Sequence, residues 1–428
     1  VDPAEGGGGR VNAPPARLEA SADDGRRGAR FWVLFAAVFT AAYISWRPFE
    51  ILFTLSDALF CVALVLAVQA GRLPLAPFGP LSGPWYLCVL VLLSGLFLGS
   101  MVNGDPERWL VVALQYSFAY LLLPMLLVMP SQPQSRLLLL AFAMGVAAMQ
   151  LFGAAVYFGY KGDYLEIEAM FGHAFVSGSR RLGAFLADAN WNSAMCAMAL
   201  PCVIYLLNRQ VIRWWLAGLL LVSLGLGVLL SGSFSGFMSA ALALLVVGAA
   251  SGMRRGLRLA MAAGVMAGVY LLAGGPLPQA FAKRVAPALE RGDLNDAGTF
   301  QGRWDLMVEA WNMTDQTMLV GLGVDQYRLV SAHGAPVHNI YLLLWTEGGL
   351  FALLGWVGLL VLMGVITGVC ARIDRQTAGL AAAGFLVFLI QTTANPHMYA
   401  RMWIVPLLLM MGLAYRVGRG RTQLHRLP

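Results

Sequence analysis

Pro336-Val337-His338-Asn339, followed by IYLLLWTEGGLFALLGWVGLLVLMGVITGVC at 340–370, decides what kind of chain this is. The apolar run carries one formally charged side chain, Glu347, and exceeds the roughly 20 residues a helix needs to cross a bilayer. Outward from it the pattern repeats. Apolar spans are expected near 31–46, 51–70, 84–102, 109–129, 137–159, 191–207, 214–231, 234–252, 259–274, 340–370, 378–394 and 402–415. Pro201 inside one of them is tolerable where neighbours satisfy the freed carbonyl.

Composition agrees. Of 428 residues 59% are apolar and 12% charged, where a soluble chain carries about a quarter charged; mean hydropathy is +0.70. The fold class expected is all-α, a polytopic membrane protein of about twelve transmembrane helices. A net charge of +7 raises nucleic acid as a partner, but the basic residues sort by membrane side instead. With the N-terminus inside, most of the 29 Lys and Arg, among them Arg72, Arg136, Arg209, Arg254 and Arg372, fall on inner connections, and acids gather outside, as the positive-inside rule requires. Both termini are thereby placed in the cytoplasm. Residues 1–30, rich in Gly, Pro and charge, read as a disordered cytoplasmic tail, 31–416 as the membrane domain and 417–428 as a basic cytoplasmic tail. The five cysteines lie inside apolar runs with no Cys-x-x-Cys spacing, so they read as small buried hydrophobes. No strong internal repeat of the transporter kind is evident. Asp57 is the main ionisable residue inside a span, and Thr54 and Ser56 before it point to a helix start or an interhelical bond.

Two outer loops, 160–190 and 275–339, are long, and long loops in compact domains are usually functional. In the second, residues 302–319 have helical periodicity. Trp304, Met307, Val308 and Trp311 share one face, and Asp305, Glu309, Asn312 and Gln316 another. Two tryptophans on an apolar stripe suit a helix lying in the membrane interface. Arg303, on the flank away from the acids, reads as an unpaired guanidinium for a lipid phosphate or as a snorkelling arginine. Gly321-Leu322-Gly323 reads as the helix C-cap. A new helix begins after Pro336, where the positive end of its dipole keeps His338 neutral and able to accept a proton. His333 competes with it, and Glu347 lies near the opposite face of a straight helix. In the first loop, the outer Arg180-Arg181 either pairs with Asp188, Glu166 or Glu168, or receives an anion. Asp188 or Asn190 caps the next helix.

Arg181-Leu182-Gly183-Ala184-Phe185 with Asn190, then Arg303-Trp304 with Gly321-Leu322-Gly323, then His338-Asn339-Ile340-Tyr341-Leu342 and Glu347-Gly348-Gly349, in that order, resemble the O-antigen ligase and polymerase superfamily over roughly 160–395. Where that family often has a proline before the Gly-x-Gly, this chain has Thr317-Met318-Leu319-Val320. The resemblance implies a helical glycosyltransferase fold of the C type (GT-C) with a periplasmic helical loop. It also implies a multi-pass protein of the bacterial inner membrane with its active site facing the periplasm. The implied activity is that of an O-antigen ligase, transferring a glycan from undecaprenyl pyrophosphate to a sugar hydroxyl of lipid A–core. No cofactor or metal is expected, and no Asp-x-Asp occurs to hold one. His338 takes the place of the family's histidine, Arg181 and Arg303 those of its loop arginines, and Arg180, Asn190, Trp304, Asn339 and Tyr341 join the substrate-binding set. The same motifs leave open an O-antigen polymerase or a protein O-oligosaccharyltransferase. A lipid-oligosaccharide transporter is the reading from a different class.

Overall fold

A computed structural model describes residues 28–46, 53–71, 73–252, Glu290 and 300–424. Residues 1–27 of the expected tail, the expected span at 259–274, the first part of the second outer loop and residues 425–428 lie outside the described residues. In chain order the helices are α1 Ala29–Phe39, α2 Leu55–Gln69, α3 Ser82–Val102, α4 Pro106–Leu127, α5 Gln132–Gly159, α6 Tyr164–Phe171, α7 Ala189–Asn208, α8 Trp214–Ser231, α9 Phe234–Ser251, α10 Phe300–Met313, α11 Tyr327–Val330, α12 Ile340–Ala371, α13 Arg375–Thr392 and α14 Arg401–Leu424. Among these residues the only bridge is an isolated antiparallel one, Val176 to Leu182.

Each expected span within the described residues contains a helix, but the one near 31–46 is helical only as far as Phe39. Eight of the helices are long and apolar enough to cross a membrane: α3, α4, α5, α7, α8, α9, α12 and α14. The α1 and α2 helices are apolar but shorter. The chain is a multi-pass helical membrane protein. At its centre α7 is buried along nearly its whole length, as is Met402–Ala414 of α14. The closest pairing in the bundle joins α3 to α12. A Cβ on Gly95 would collide with the Ala352 backbone, and one on Gly355 with that of Leu92. Small residues draw helices together where apolar burial gives no net drive.

Polar backbone groups freed inside the bundle find side-chain or loop partners. Pro124 lacks the N–H that would reach the Tyr120 carbonyl, and the helix widens into a π turn at Phe118–Leu122. The Trp85 indole N–H takes that carbonyl at 2.7 Å. Asp57 fulfils both roles open to it: it completes a capping box with Thr54 and forms a buried ion pair with Arg401 of α14.

The apolar run at 340–370 is not one straight helix. Gly349 sits at φ 67°, ψ −172°, a conformation for glycine only. The break frees the carbonyls of Thr346 and Glu347. They accept instead from Leu322 N at 2.8 Å and Gly323 N at 2.9 Å, and Leu350 N donates to the Met318 carbonyl at 2.9 Å. The second outer loop is therefore stitched into the bundle at the break. This corrects the role expected of Gly321-Leu322-Gly323: α10 ends at Met313, before the glycines, and they serve close approach rather than capping. A Cβ on Gly321 would strike the Glu347 backbone, and Gly323 holds φ +95°.

Candidate active site at the outer end of the bundle

Two loops and two helix starts meet here. In the first loop Arg180 takes φ 51°, its N–H donates to the Ser177 carbonyl at 2.8 Å, and its guanidinium lies 5.7 Å from the Tyr157 ring centre. The next residue turns inward. Arg181 donates from Nε to the Ser231 carbonyl at 2.8 Å, at the C-terminus of α8, and from a terminal nitrogen to Asn190 Oδ1 at 2.7 Å. A cation at a helix C-terminus is stabilised by the aligned carbonyls. Asp188 caps α7, accepting from Asn190 N at 2.6 Å and Trp191 N at 3.0 Å. The acids offered as partners of the double arginine have other contacts. Glu166 accepts from the Tyr160 hydroxyl at 2.6 Å, and Glu168 meets His173.

In the second loop α10 shows its Trp304, Val308 and Trp311 face outward, all exposed, while Leu306 and Ala310 turn inward. That is the arrangement an interfacial helix needs. One expectation about it fails. Arg303 is not an unpaired guanidinium, since it has a partner of its own. Glu309 accepts from Ser331 Oγ at 2.7 Å and Ala332 N at 2.7 Å, and the Tyr327 hydroxyl lies 3.1 Å away. Burial pushes its carboxyl up, but those bonds outweigh it and the net displacement is down.

His338 lies one residue outside the cap of α12. Asn339 is the cap, its Oδ1 accepting from Tyr341 N at 3.0 Å and Leu342 N at 3.2 Å, while its amide group reaches Met307 Sδ of α10 at 3.7 Å. The Tyr341 hydroxyl pairs with Thr392 at 3.0 Å. These contacts give Asn339 and Tyr341 firm structural roles. The His338 imidazole is half-buried, and its buried Nδ1 has no hydrogen-bond partner among the described residues. Burial lowers its proton affinity, the Arg303 charge lowers it further, and Asp188 opposes. The fold thus brings His338 within charge range of α10 and of the cap of α7, where Asn190 holds Arg181. His333, the competitor, is exposed.

Sequence reading missed the connection between α13 and α14. Its His397 is half-buried, with Nδ1 3.2 Å from the Tyr399 hydroxyl. Burial lowers its proton affinity, and the charge of His338 reaches it. With Tyr116, Asp325 and Glu347 these residues line a small cavity of about 20 Å³, room for about one water. The signal available was topological: in the span order expected from sequence, this connection is an outer one. Among the described residues no three of His, Cys, Asp and Glu gather as a metal site would need.

Fold and site define a multi-pass membrane protein with basic and titratable side chains collected at one end of the bundle. Residues 218–357, about a third of the chain, match the family model described as O-Antigen ligase. The matched stretch contains Arg303 and His338; Arg181 precedes it. No curated protein matches the chain.

Proposed function

We propose that the chain is an O-antigen ligase with a GT-C fold of about twelve spans, both termini in the cytoplasm and the site at the periplasmic face of the inner membrane. The observation that carries the reading is the half-buried His338, whose Nδ1 has no hydrogen-bond partner among the described residues and which feels the charges of both Arg303 and Asp188. Its side chain is a base whose protonated form is disfavoured, at the end of the bundle where both arginine loops arrive. The side assignment has independent support. Arg108 pairs with Asp325, both expected outside, and Arg209 with Asp374, both expected inside.

The donor is a glycan joined through its anomeric carbon to undecaprenyl pyrophosphate, and the acceptor a sugar hydroxyl of lipid A–core. His338 removes the hydroxyl proton as the oxygen attacks the anomeric carbon. The bond from that carbon to the pyrophosphate oxygen breaks, and configuration inverts. Arg181 and Arg303 stabilise the charge left on the pyrophosphate, with Arg180 and Asn190 supporting them and Trp304 against the lipid. Such a leaving group needs no acid to protonate it, so one base suffices. The reaction proceeds without a metal.

Reconstitution of the purified chain with lipid-linked donor and lipopolysaccharide core tests this. Long-chain lipopolysaccharide should form, and form equally in EDTA. A requirement for Mg²⁺ or Mn²⁺ overturns the metal-free scheme. In a deletion strain, loss of all long chains while lipid-linked polymer accumulates is expected; a core-plus-one-repeat band would make the chain a polymerase.

A further inference from the structure

Tyr327 is fully buried and belongs to neither arginine loop motif nor the histidine motif. Its backbone N–H donates to Glu347 Oε1 at 3.4 Å, beside the break in α12. Its hydroxyl lies 3.1 Å from both the Leu306 carbonyl and Glu309 Oε2, on α10. One residue therefore joins the broken helix that follows His338 to the helix that carries Arg303. The segment around it is fixed independently. Asp325 pairs with Arg108, Val324 N donates to Ser100 Oγ at 3.0 Å, and Asn103 donates to the Gly321 carbonyl at 3.0 Å. Its other end is held by Glu309 through Ser331 and Ala332. Two softer links also run between α10 and the start of α12: an amide-to-sulfur contact at 3.7 Å and an edge contact of Trp311 on Trp345 at 6.1 Å.

We propose that Tyr327 is a positioning residue for transfer: without touching substrate, its hydroxyl sets how close α10 brings Arg303 to His338. The proposal rests on the functional reading above for its kinetic consequence, but not for its structural one. Among the described residues, the charged groups felt by His338 are Arg303 from α10, Asp188 from the first outer loop and His397 from the connection between α13 and α14. Of these, only Arg303 rides on the element Tyr327 holds. Moving it away removes a positive neighbour, so His338 should bind its proton more readily.

The test compares the full-length wild-type chain with Tyr327→Phe, which keeps the ring and loses the hydroxyl. Carbethoxylation of His338 by diethyl pyrocarbonate, followed by peptide mass spectrometry across pH, reads its titration without any substrate. The midpoint should move to higher pH in the variant. Transfer should lose about tenfold or more in kcat, with KM for the lipid-linked donor largely unchanged and the acid limb moved the same way. Where Tyr327→Phe does not accumulate, Glu309→Asp shortens the same link with its charge retained and should move the midpoint in the same direction. An unmoved midpoint overturns the proposal, whether kcat is kept or lost, because a merely structural role leaves the titration alone. If the wild type transfers nothing, the functional reading fails while the midpoint still tests the link.

Discussion

At the scale of single residues, His338→Ala should cost about 10²–10⁴ in transfer rate, the usual contribution of a general base, with protein level and membrane insertion intact. Lipopolysaccharide gels and quantified membranes check both, and near-wild-type transfer removes His338 as the base. The pH dependence carries a sign. Burial and Arg303 both lower the imidazole's affinity for a proton, so His338 stays neutral and competent through the ordinary histidine range, about 6.5. Transfer should fall only at lower pH, and Arg303→Gln should move that acid limb upward; a limb that stays put argues against charge coupling between the two. Arg303→Lys should also transfer poorly, because an ammonium does not reproduce a two-point guanidinium contact, and wild-type turnover would reduce Arg303 to a point charge. His338 and Arg303 were legible because each stands beside an apolar helical pattern, where a charged or titratable group needs a reason. The bond from Arg181 to Asn190 and the approach of His397 were not legible. Each depends on which loops meet at the end of the bundle, and nothing in local spacing encodes that.

Among the elements, α12 differs most from its sequence pattern. Hydropathy reads 340–370 as one uninterrupted span because glycine counts as apolar, whatever φ it adopts. The break is a backbone event, and its partners lie in Leu322 and Gly323, which the sequence offers only as a generic turn. The helical pattern of 302–319 had the same limit. Periodicity found α10 and its outward tryptophan face, but it ran past the end at Met313, since the hydrogen bonds that stop a helix leave no trace in hydrophobic spacing. Gly349→Ala tests the break directly. A non-glycine residue at this φ costs about 1–3 kcal/mol, and its Cβ would also collide with the Leu319 carbonyl. The variant should show a lower melting temperature in detergent and weakened transfer, because the loop bearing Tyr327 loses its seat. An unchanged melting temperature would mean that α12 straightens without cost and that the stitched loop contributes little.

For the molecule as a whole, the sequence placed helices where the described residues have them, because lipid forces every backbone polar group to be satisfied within its own segment. It was silent on which helices touch, since lipid-facing and protein-facing residues are equally apolar. Long-range polar contacts supply part of that information, and the pair between Asp57 and Arg401 spans the greatest sequence distance of the described ion pairs. It fastens the start of α2 to the start of α14, with Asp57 1% exposed and the arginine side chain 14%. The guanidinium also lies 5.8 Å from the Phe118 ring centre, on the π turn of α4, so one cation gathers three helices that are remote in sequence. Removing one member of a buried pair leaves the other charge without compensation, at a cost of about 3–5 kcal/mol. Asp57→Ala and Arg401→Ala should therefore each lower the melting temperature of the purified chain steeply. The double variant should be destabilised by much less than the two effects added, because it buries no orphaned charge. If the two effects simply add, the pair is incidental, and the packing of α2 against the end of the chain rests on apolar contact alone.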